Sequence, residues 1–325
     1  MKAMIVTELG EPAERLKLGE APDPKAGPGQ VVVDIRAIGC NFPDMLIVQG
    51  KYQVKPPLPF SPGLEVAGVV REVGEGVRQV TPGQRVVALM NWGAYAERAV
   101  VEATDVFPMP DFMSFEQGAA IGIVYQTSYC ALTHRTKLRA GETLLVHAAA
   151  GGVGLAAVQI GKALGARVIA TVGSPAKLEV ARASGADVCI DYRAEDWVER
   201  VKKETGGKGA DVIYDPVGGD TFDGSTRVVA FEGRILVVGF ASGRWADVAT
   251  NRILLKNMDV VGVHWGLYRK QAPALIDQWM SQLFAMVGSG KLNPVVSRTF
   301  PLADAAQALA FIASRESYGK VVLLP

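Results

Sequence analysis

The fold is decided by one stretch of the chain, Thr143-Leu144-Leu145-Val146-His147-Ala148-Ala149-Ala150-Gly151-Gly152-Val153-Gly154. An apolar strand-like run leads here into a glycine-rich turn, and small residues follow that let a helix lie close to the strand. Such a turn leaves backbone N–H groups uncovered at a helix N-terminus, where they bind the diphosphate of a dinucleotide. The first glycine of the strict G-x-G-x-x-G pattern is Ala149, so the prediction depends on the flanking strand and helix. We predict that four residues bind the diphosphate: Ala150, Gly151, Gly152 and Val153.

Downstream of residue 141, strand-like runs alternate with helix-like segments and glycines. The apolar runs lie at 143–147, 167–172, 187–190, 211–214, 234–239 and 258–263. This alternation predicts an α/β fold with a Rossmann domain, a doubly wound six-stranded parallel sheet, over residues 125–266.

Upstream, β-type runs are separated by Pro-Gly pairs, which is typical of a largely antiparallel domain. The runs lie at 30–38, 65–73, 85–90 and 94–101. We predict a β-rich first domain over residues 1–124, completed by 267–325. That last segment has helical patterns near 271–287 and 302–314 and a strand at 320–324.

Composition excludes several classes of function. The 325 residues carry 34 Lys+Arg against 33 Asp+Glu, a net charge of +1, so we expect no nucleic-acid partner. No run approaches the roughly 18 apolar residues of a membrane span, and we expect no membrane partner. The opening residues do not resemble a secretory signal, and three scattered cysteines suit a reducing compartment, so we expect a cytoplasmic location.

The end of the second strand favours the phosphorylated coenzyme. NAD-dependent enzymes place a carboxylate there, which binds the ribose hydroxyls, whereas this strand runs into Val172-Gly173-Ser174. Ser174 is a candidate N-cap with Pro175 at the first helical position, and Lys177 adds a cation one turn in. We therefore predict NADPH over NADH, with contacts from Gly173, Ser174, Lys177 and Tyr192.

Further motifs are specific when taken together: Gly39-Cys40-Asn41-Phe42-Pro43-Asp44, Gly50-Lys51-Tyr52, Pro59-Phe60-Ser61-Pro62-Gly63-Leu64-Glu65 and Val237-Val238-Gly239-Phe240. With the glycine-rich turn, they make the whole chain resemble the zinc-independent, zeta-crystallin-like quinone oxidoreductases of the medium-chain dehydrogenase/reductase superfamily. The resemblance implies a GroES-like first domain, a cofactor in the cleft between the domains, and homodimers or higher homo-oligomers.

Two positions argue against a metal site. Zinc-dependent relatives hold a Cys and a His where this chain has Asn41 and Leu64. Neither an amide nor a leucine replaces a thiolate or an imidazole as a Zn²⁺ ligand. We predict that the protein binds no catalytic metal.

Without a metal, a dihydronicotinamide can still reduce a quinone or another enone, provided that the protein stabilises the oxygen that becomes negative. By resemblance, Asn41, Asp44 and Tyr52 face the nicotinamide and the acceptor as the candidate catalytic residues. The Asn41 amide and the Tyr52 phenol can donate to a carbonyl oxygen, and Asp44 orients its neighbours.

The remaining predicted cofactor contacts come from the resemblance and from the carboxyl ends of the strands. They are Thr127, Gly218, Gly239, Phe240, His264, Trp265 and Lys320. For Lys320, a solvated surface position is the alternative.

Two other functions stay open at this point. The same hydride delivery serves an NADPH-dependent reductase of enones, alkenals or enoyl thioesters, and a crystallin-like protein could bind NADPH without turnover. The sixth strand, 258–263, would leave an apolar edge in a monomer, so we expect a dimer that pairs through it.

Overall fold

Two large sheets organise the chain in the computed structural model, which describes residues 1–325. One unit contains residues 1–123, 280–284 and 294–325, and the other contains 124–279 and 285–293. The sequence prediction placed all of 267–325 with the first domain. Residues 267–279 and 285–293 lie instead in the second unit. There the Gln159 side chain bonds the Asn293 carbonyl oxygen and N–H, each at 2.9 Å.

The first unit contains β1 (Lys2–Ile5), α1 (Pro12–Arg15), β2 (Lys17–Glu20), β3 (Gln30–Cys40), α2 (Phe42–Val48), β4 (Glu65–Val73), β5 (Arg85–Leu89), β6 (Arg98–Glu102), β7 (Val106–Pro108) and α3 (Phe115–Ala119). The second unit follows with α4 (Val124–Tyr129), β8 (Thr143–Val146), α5 (Gly152–Ala163), β9 (Arg167–Val172), α6 (Pro175–Ala183), β10 (Val188–Asp191), α7 (Trp197–Glu204), β11 (Ala210–Asp215), α8 (Asp220–Val228), β12 (Val229–Val237), α9 (Thr250–Lys256), β13 (Asp259–Gly262) and α10 (Tyr268–Gln271). The chain ends with α11 (Pro273–Gly288), β14 (Val296–Pro301), α12 (Ala305–Ala313) and β15 (Lys320–Leu324). None of the helices combines the length and apolar character that crossing a membrane requires.

The sheet of the second unit has the order β10-β9-β8-β11-β12-β13, and every strand pair in it is parallel. This is the doubly wound order, and the predicted six-stranded sheet is confirmed. β12 begins earlier than the predicted residue 234, because the C-cap of α8, Val229, is already extended.

The sheet of the first unit is largely antiparallel, with the order β14-β15-β3-β4-β5-β7 and with β6 beside β3. The predicted β-rich domain is confirmed. The predicted strand 94–101 starts later, at Arg98, because the Tyr95 N–H bonds the Pro62 carbonyl oxygen instead of a ladder partner. β15 pairs with the end of β3, which places Val321 opposite Cys40 and brings the C-terminal strand to the Gly-Cys-Asn motif.

His147, directly after β8, is a core residue with 2% of its surface exposed. Its Nδ1 lies 2.9 Å from Thr171 Oγ1, and its Nε2 lies 3.0 Å from Ser225 Oγ. The Ser225 hydroxyl donates to the Thr221 carbonyl oxygen, so Ser225 accepts from Nε2–H and Thr171 donates to Nδ1. The ring also packs edge-on against Trp197. Burial lowers the pKa of His147 to about 3, so the ring stays neutral.

This burial makes stability depend on pH. Below about pH 6.5 the unfolded chain protonates His147, whereas the folded protein does so only near its lowered pKa of about 3. Going from about pH 7.5 to about pH 5.5 should cost about 1.4 kcal/mol of unfolding free energy through this group. Urea denaturation of His147→Gln should show a correspondingly smaller loss, and His264→Gln, at an exposed position, should follow the wild type. Equal losses for wild type and His147→Gln would contradict the buried neutral ring.

Candidate active site

The turn between β8 and α5 has a geometry that fits a diphosphate. Ala148 takes a left-handed φ of +47°, and its carbonyl oxygen accepts the Gly151 N–H at 2.9 Å. A Cβ atom on Gly154 would overlap this same oxygen, so glycine is required for α5 to lie so close. α5 has no side-chain cap and no acidic residue in its first turn. Residues 150–153 therefore meet the requirements for a helix N-terminus that binds an anion.

Two buried hydroxyls support this turn, and sequence reasoning missed both. Ser128 Oγ donates to the Val153 carbonyl oxygen at 2.8 Å. Because that hydrogen is used, the Tyr214 hydroxyl is the donor in its 2.8 Å contact with Ser128 Oγ. The turn is thereby fixed to α4 and β11. The adjacent predicted residue, Thr127, is half-buried in α4.

The four residues predicted at the 2′-phosphate end are grouped at the ends of β9 and β10. The Tyr192 phenol oxygen lies against Gly173, where a Cβ atom would collide with it. Ser174 is the N-cap of α6, is extended, and bonds no N–H group with its side chain. Lys177 lies in the first turn of α6, which carries no acidic residue. This arrangement offers hydroxyl, amide and ammonium donors to a phosphate.

A carboxylate does lie one strand away, at Asp191, the last residue of β10. Its Oδ1 accepts the Arg193 N–H at 2.9 Å. Sequence reasoning looked for a carboxylate only at the end of β9, and the parallel pairing of Val172 with Asp191 brings the end of β10 beside it.

At the carboxyl ends of β11 and β12, the predicted residues Gly218, Gly239 and Phe240 line a cavity of about 300 Å³. Its other walls are mostly apolar and include Trp245, whose ring centroid lies 6.4 Å from that of Phe240. The cavity suits a flat, largely apolar ring.

Asp215 also lines this cavity and was not anticipated. Its Oδ1 accepts the N–H groups of Val217 and Gly218 at 2.8 and 2.9 Å, whereas its buried Oδ2 has no partner. Burial raises the pKa of Asp215, although the two N–H donors oppose the shift.

Of the predicted pair after β13, Trp265 is buried and His264 is exposed. Trp265 Nε1 donates to Gln126 Oε1 at 3.2 Å, which links the segment after β13 to α4, next to Thr127. Gln126 is fully buried and its Nε2 has no partner. The sequence carries no pattern that singles out Gln126.

In the first unit, Lys320 is buried, at 3% exposure, so the surface alternative is wrong. Its Nζ donates to the Cys40 carbonyl oxygen at 2.7 Å, to Asn41 Oδ1 at 2.8 Å and to Glu65 Oε1 at 2.6 Å. These contacts use all three ammonium hydrogens, which leaves none for the predicted cofactor contact. The pairing of β15 with β3 draws Lys320 inward, and no spacing in the sequence indicated it.

Asn41 is held at both ends of its amide. Nδ2 donates to the Gly39 carbonyl oxygen at 3.1 Å and to Glu65 Oε1 at 2.9 Å, while Oδ1 accepts from Lys320. Glu65 Oε2 accepts the Ile123 N–H at 2.8 Å. Both Asn41 amide hydrogens are thus engaged inside the unit, so the predicted donation to a substrate carbonyl would require one of these bonds to break.

Asp44 and Tyr52 lie close to this cluster. Asp44 is fully buried in α2, and its Oδ2 accepts the Asn41 N–H at 2.8 Å and the Tyr95 hydroxyl at 2.9 Å. Tyr52 is partly buried and packs against the core of the unit. Burial raises the pKa of the Tyr52 phenol, and the nearby Asp44 carboxylate adds to the shift. The structure therefore joins Asn41 and Asp44 by a hydrogen bond, and Tyr52 packs against the core of the same unit.

The donor set does not fit a zinc ion. Leu64 offers no lone pair, and Asn41 Oδ1 already bonds the Lys320 ammonium. No group of three or more His, Cys, Asp or Glu side chains is arranged to hold a metal ion.

Comparison with known proteins gives matches along nearly the whole chain. Residues 27–111 match the family model for the alcohol dehydrogenase GroES-like domain, and residues 152–281 match that for a zinc-binding dehydrogenase. The rat quinone oxidoreductase-like protein 2 is 38% identical over 323 residues, which cover 99% of this chain and 91% of the relative.

Two solved structures are similar throughout. A quinone oxidoreductase from Escherichia coli, complexed with NADPH, has a TM-score of 0.93 and 35% identity, with 100% of both chains covered. A quinone oxidoreductase from Pseudomonas syringae pv. Tomato has a TM-score of 0.92 and 37% identity, covering 100% of this chain and 99% of the other.

The buried ion pair gives a direct prediction. Lys320→Met keeps an unbranched side chain, one atom shorter, but leaves the Glu65 carboxylate buried without its cation. We expect urea denaturation to show a loss of about 3–5 kcal/mol in unfolding free energy. Adding Glu65→Gln to that variant should recover part of the loss, and the exposed Lys203→Met should change stability by less than about 0.5 kcal/mol. Wild-type stability in Lys320→Met would contradict the pairing.

Proposed function

Because the chain belongs to the quinone oxidoreductase family of the medium-chain dehydrogenase/reductase superfamily, we propose that it is an NADPH-dependent quinone oxidoreductase that transfers hydride without a metal ion. The family itself makes it an NAD(P)-dependent oxidoreductase. The choice of coenzyme and of acceptor is the proposal.

One observation carries the choice of NADPH, namely the donors at the end of β9. Ser174 leaves its hydroxyl uncommitted to the helix cap, Lys177 adds an ammonium, and no acidic residue lies in the first turn of α6. A 2′-phosphate is attracted by these groups, whereas a free ribose hydroxyl gains little from a cation. The NADPH in the Escherichia coli relative supports the same choice.

The acceptor is proposed from the donors that the first unit offers. NADPH, when bound, supplies the hydride, and the protein must stabilise the negative charge that develops on the acceptor oxygen. Asn41 is committed to Glu65 and Gly39, so we assign the hydrogen bond to the Tyr52 hydroxyl. A quinone needs little activation beyond this hydrogen bond, because its ring carbons are already electrophilic.

The proposed absence of a metal rests on the same cluster. A divalent ion at Asn41 Oδ1 or Glu65 Oε1 would have to displace the Lys320 ammonium, which lies 2.8 and 2.6 Å from these oxygens. The charge of Glu65 is already compensated.

We also propose a cytoplasmic location, which stays a prediction. The support is that Cys40, Cys130 and Cys189 are all free thiols, two of them buried. Free thiols persist in a reducing compartment.

Coenzyme preference is tested by steady-state oxidation of NADPH and NADH with 1,4-naphthoquinone. We expect kcat/KM to be at least roughly tenfold higher with NADPH than with NADH. Lys177→Ala should lower kcat/KM for NADPH by about tenfold, as for one lost charged hydrogen bond, and should leave kcat/KM for NADH unchanged. The exposed Lys203→Ala is the matched control. Equal kcat/KM for the two coenzymes contradicts the 2′-phosphate site, and turnover of alkenals but not of quinones contradicts the proposed acceptor. Binding of NADPH without turnover of any acceptor contradicts the proposal that the protein is an enzyme.

The edge of the second sheet supports the proposed homodimer. β13 pairs with β12 on one side only, and Val260 is 37% exposed. Leu254 and Leu255 of the preceding α9 are each 75% exposed. An unpaired strand edge beside exposed leucines favours pairing with a second copy across a twofold axis.

Sedimentation at micromolar concentration should therefore give the mass of a dimer. Val260→Lys should shift the protein towards the monomer, because a charge at the paired edge opposes association. Lys208→Ala, an exposed change in a loop elsewhere on the unit, should leave the mass unchanged. A monomeric wild type would rule out the edge pairing.

A further inference from the structure

The hydrogen bonds at Asp44 determine which of its oxygens can carry a proton. Oδ2 accepts from the Asn41 N–H and from the Tyr95 hydroxyl. Oδ1 is buried and has no partner. With Oδ2 already accepting two hydrogens, a proton on this carboxyl lies on Oδ1.

The charged groups around Asp44 leave it without a counter-ion in contact. Lys320 is the nearby cation, but its three hydrogens bind Cys40, Asn41 and Glu65. The Glu65 carboxylate opposes a second negative charge, and Tyr95 and Cys40 are themselves neutral and buried. Burial raises the pKa of Asp44 to about 7, although Lys320 and the two hydrogen-bond donors oppose the shift.

Tyr52 connects this carboxyl with the outside of the unit. Among the titratable groups that face Asp44, which are Cys40, Tyr52, Glu65, Tyr95 and Lys320, Tyr52 alone is partly exposed. Tyr52 packs against the core cluster that contains Tyr95, the residue whose hydroxyl bonds Asp44, and the Asp44 carboxylate adds to the raised pKa of the Tyr52 phenol. Tyr52 and Asp44 share no hydrogen bond in the structure, so proton transfer requires the Tyr52 side chain to close onto Asp44 Oδ1.

We propose that Asp44 holds the proton that the reduced acceptor needs and that Tyr52 delivers it. The proposal rests on the proposed function. The acceptor gains the hydride, and thus two electrons, at a carbon conjugated to its carbonyl, and the π electrons move onto the oxygen. That oxygen takes the Tyr52 hydroxyl proton, Tyr52 takes the proton from Asp44 Oδ1, and the Asp44 carboxylate regains one from water after turnover.

The test compares pH profiles of naphthoquinone reduction. In the wild type, kcat should fall as the pH rises through neutrality, because the carboxyl must be protonated. Asp44→Asn should lower kcat at about pH 6 by at least roughly tenfold and abolish the pH dependence, since an amide has no proton to give. Tyr95→Phe removes a donor that stabilises the carboxylate, so it should move the midpoint to higher pH. A purely structural role for Asp44 would leave the midpoint unmoved in Tyr95→Phe, and that result overturns the proposal.

Infrared difference spectroscopy of the free protein provides a readout besides turnover. The wild type should show the C=O band of a protonated carboxyl at about pH 6 that is lost by about pH 9. Asp44→Asn should lack the band, whereas Asp215→Asn, at the other buried carboxyl whose pKa burial raises, and Asp111→Asn, at an exposed aspartate, should keep it. No band in the wild type overturns the proposal even if quinone is reduced. A wild type that shows the band but does not reduce quinone contradicts the proposed function instead. If Asp44→Asn does not fold, the wild-type band and the Tyr95→Phe midpoint still test the role of Asp44.

Discussion

The site in the first unit depends on one buried ammonium group. Lys320 enters from the last strand and bonds oxygens of three residues that lie far from it in the sequence, Cys40, Asn41 and Glu65. A buried ion pair is seldom more stable than a well-packed apolar alternative, but it tolerates few other arrangements, because each unpaired charge would be costly. We infer that the pair contributes mainly to conformational specificity. It fixes the amide of Asn41 in one position, and the Asn41 backbone N–H in turn fixes the carboxyl of Asp44.

In the second unit, backbone geometry holds the candidate site in one position. The left-handed Ala148 and the missing Cβ of Gly154 bring the N-terminus of α5 close to the end of β8. The buried hydroxyls of Ser128 and Tyr214 then fix the turn. The first turn of α5 carries no acidic residue, so nothing there opposes an anion at the helix N-terminus.

Buried polar atoms without partners are rare in this molecule, and their positions are informative. Four side-chain atoms are of this kind, and three of them belong to Asp44, Gln126 and Asp215, at or beside residues of the candidate site. By contrast, the equally buried His147, Glu65 and Lys320 have their hydrogen bonds satisfied. Unsatisfied groups are costly in a core, so these three atoms mark candidate functional groups, one in the first unit and two in the second.

The sequence by itself determined the two-part architecture, the six parallel strands and the glycine-rich turn after β8, because these follow from local periodicity and from glycine spacing. It also determined the group of residues at the end of β9, since Gly173, Ser174 and Lys177 are neighbours in the chain. The tertiary structure alone decided the roles of Lys320, Asp215 and Gln126, and it committed the amide of Asn41 to internal bonds. These depend on which strands pair and on which buried groups then compete for the same hydrogens, and neither is encoded in the spacing of any short motif.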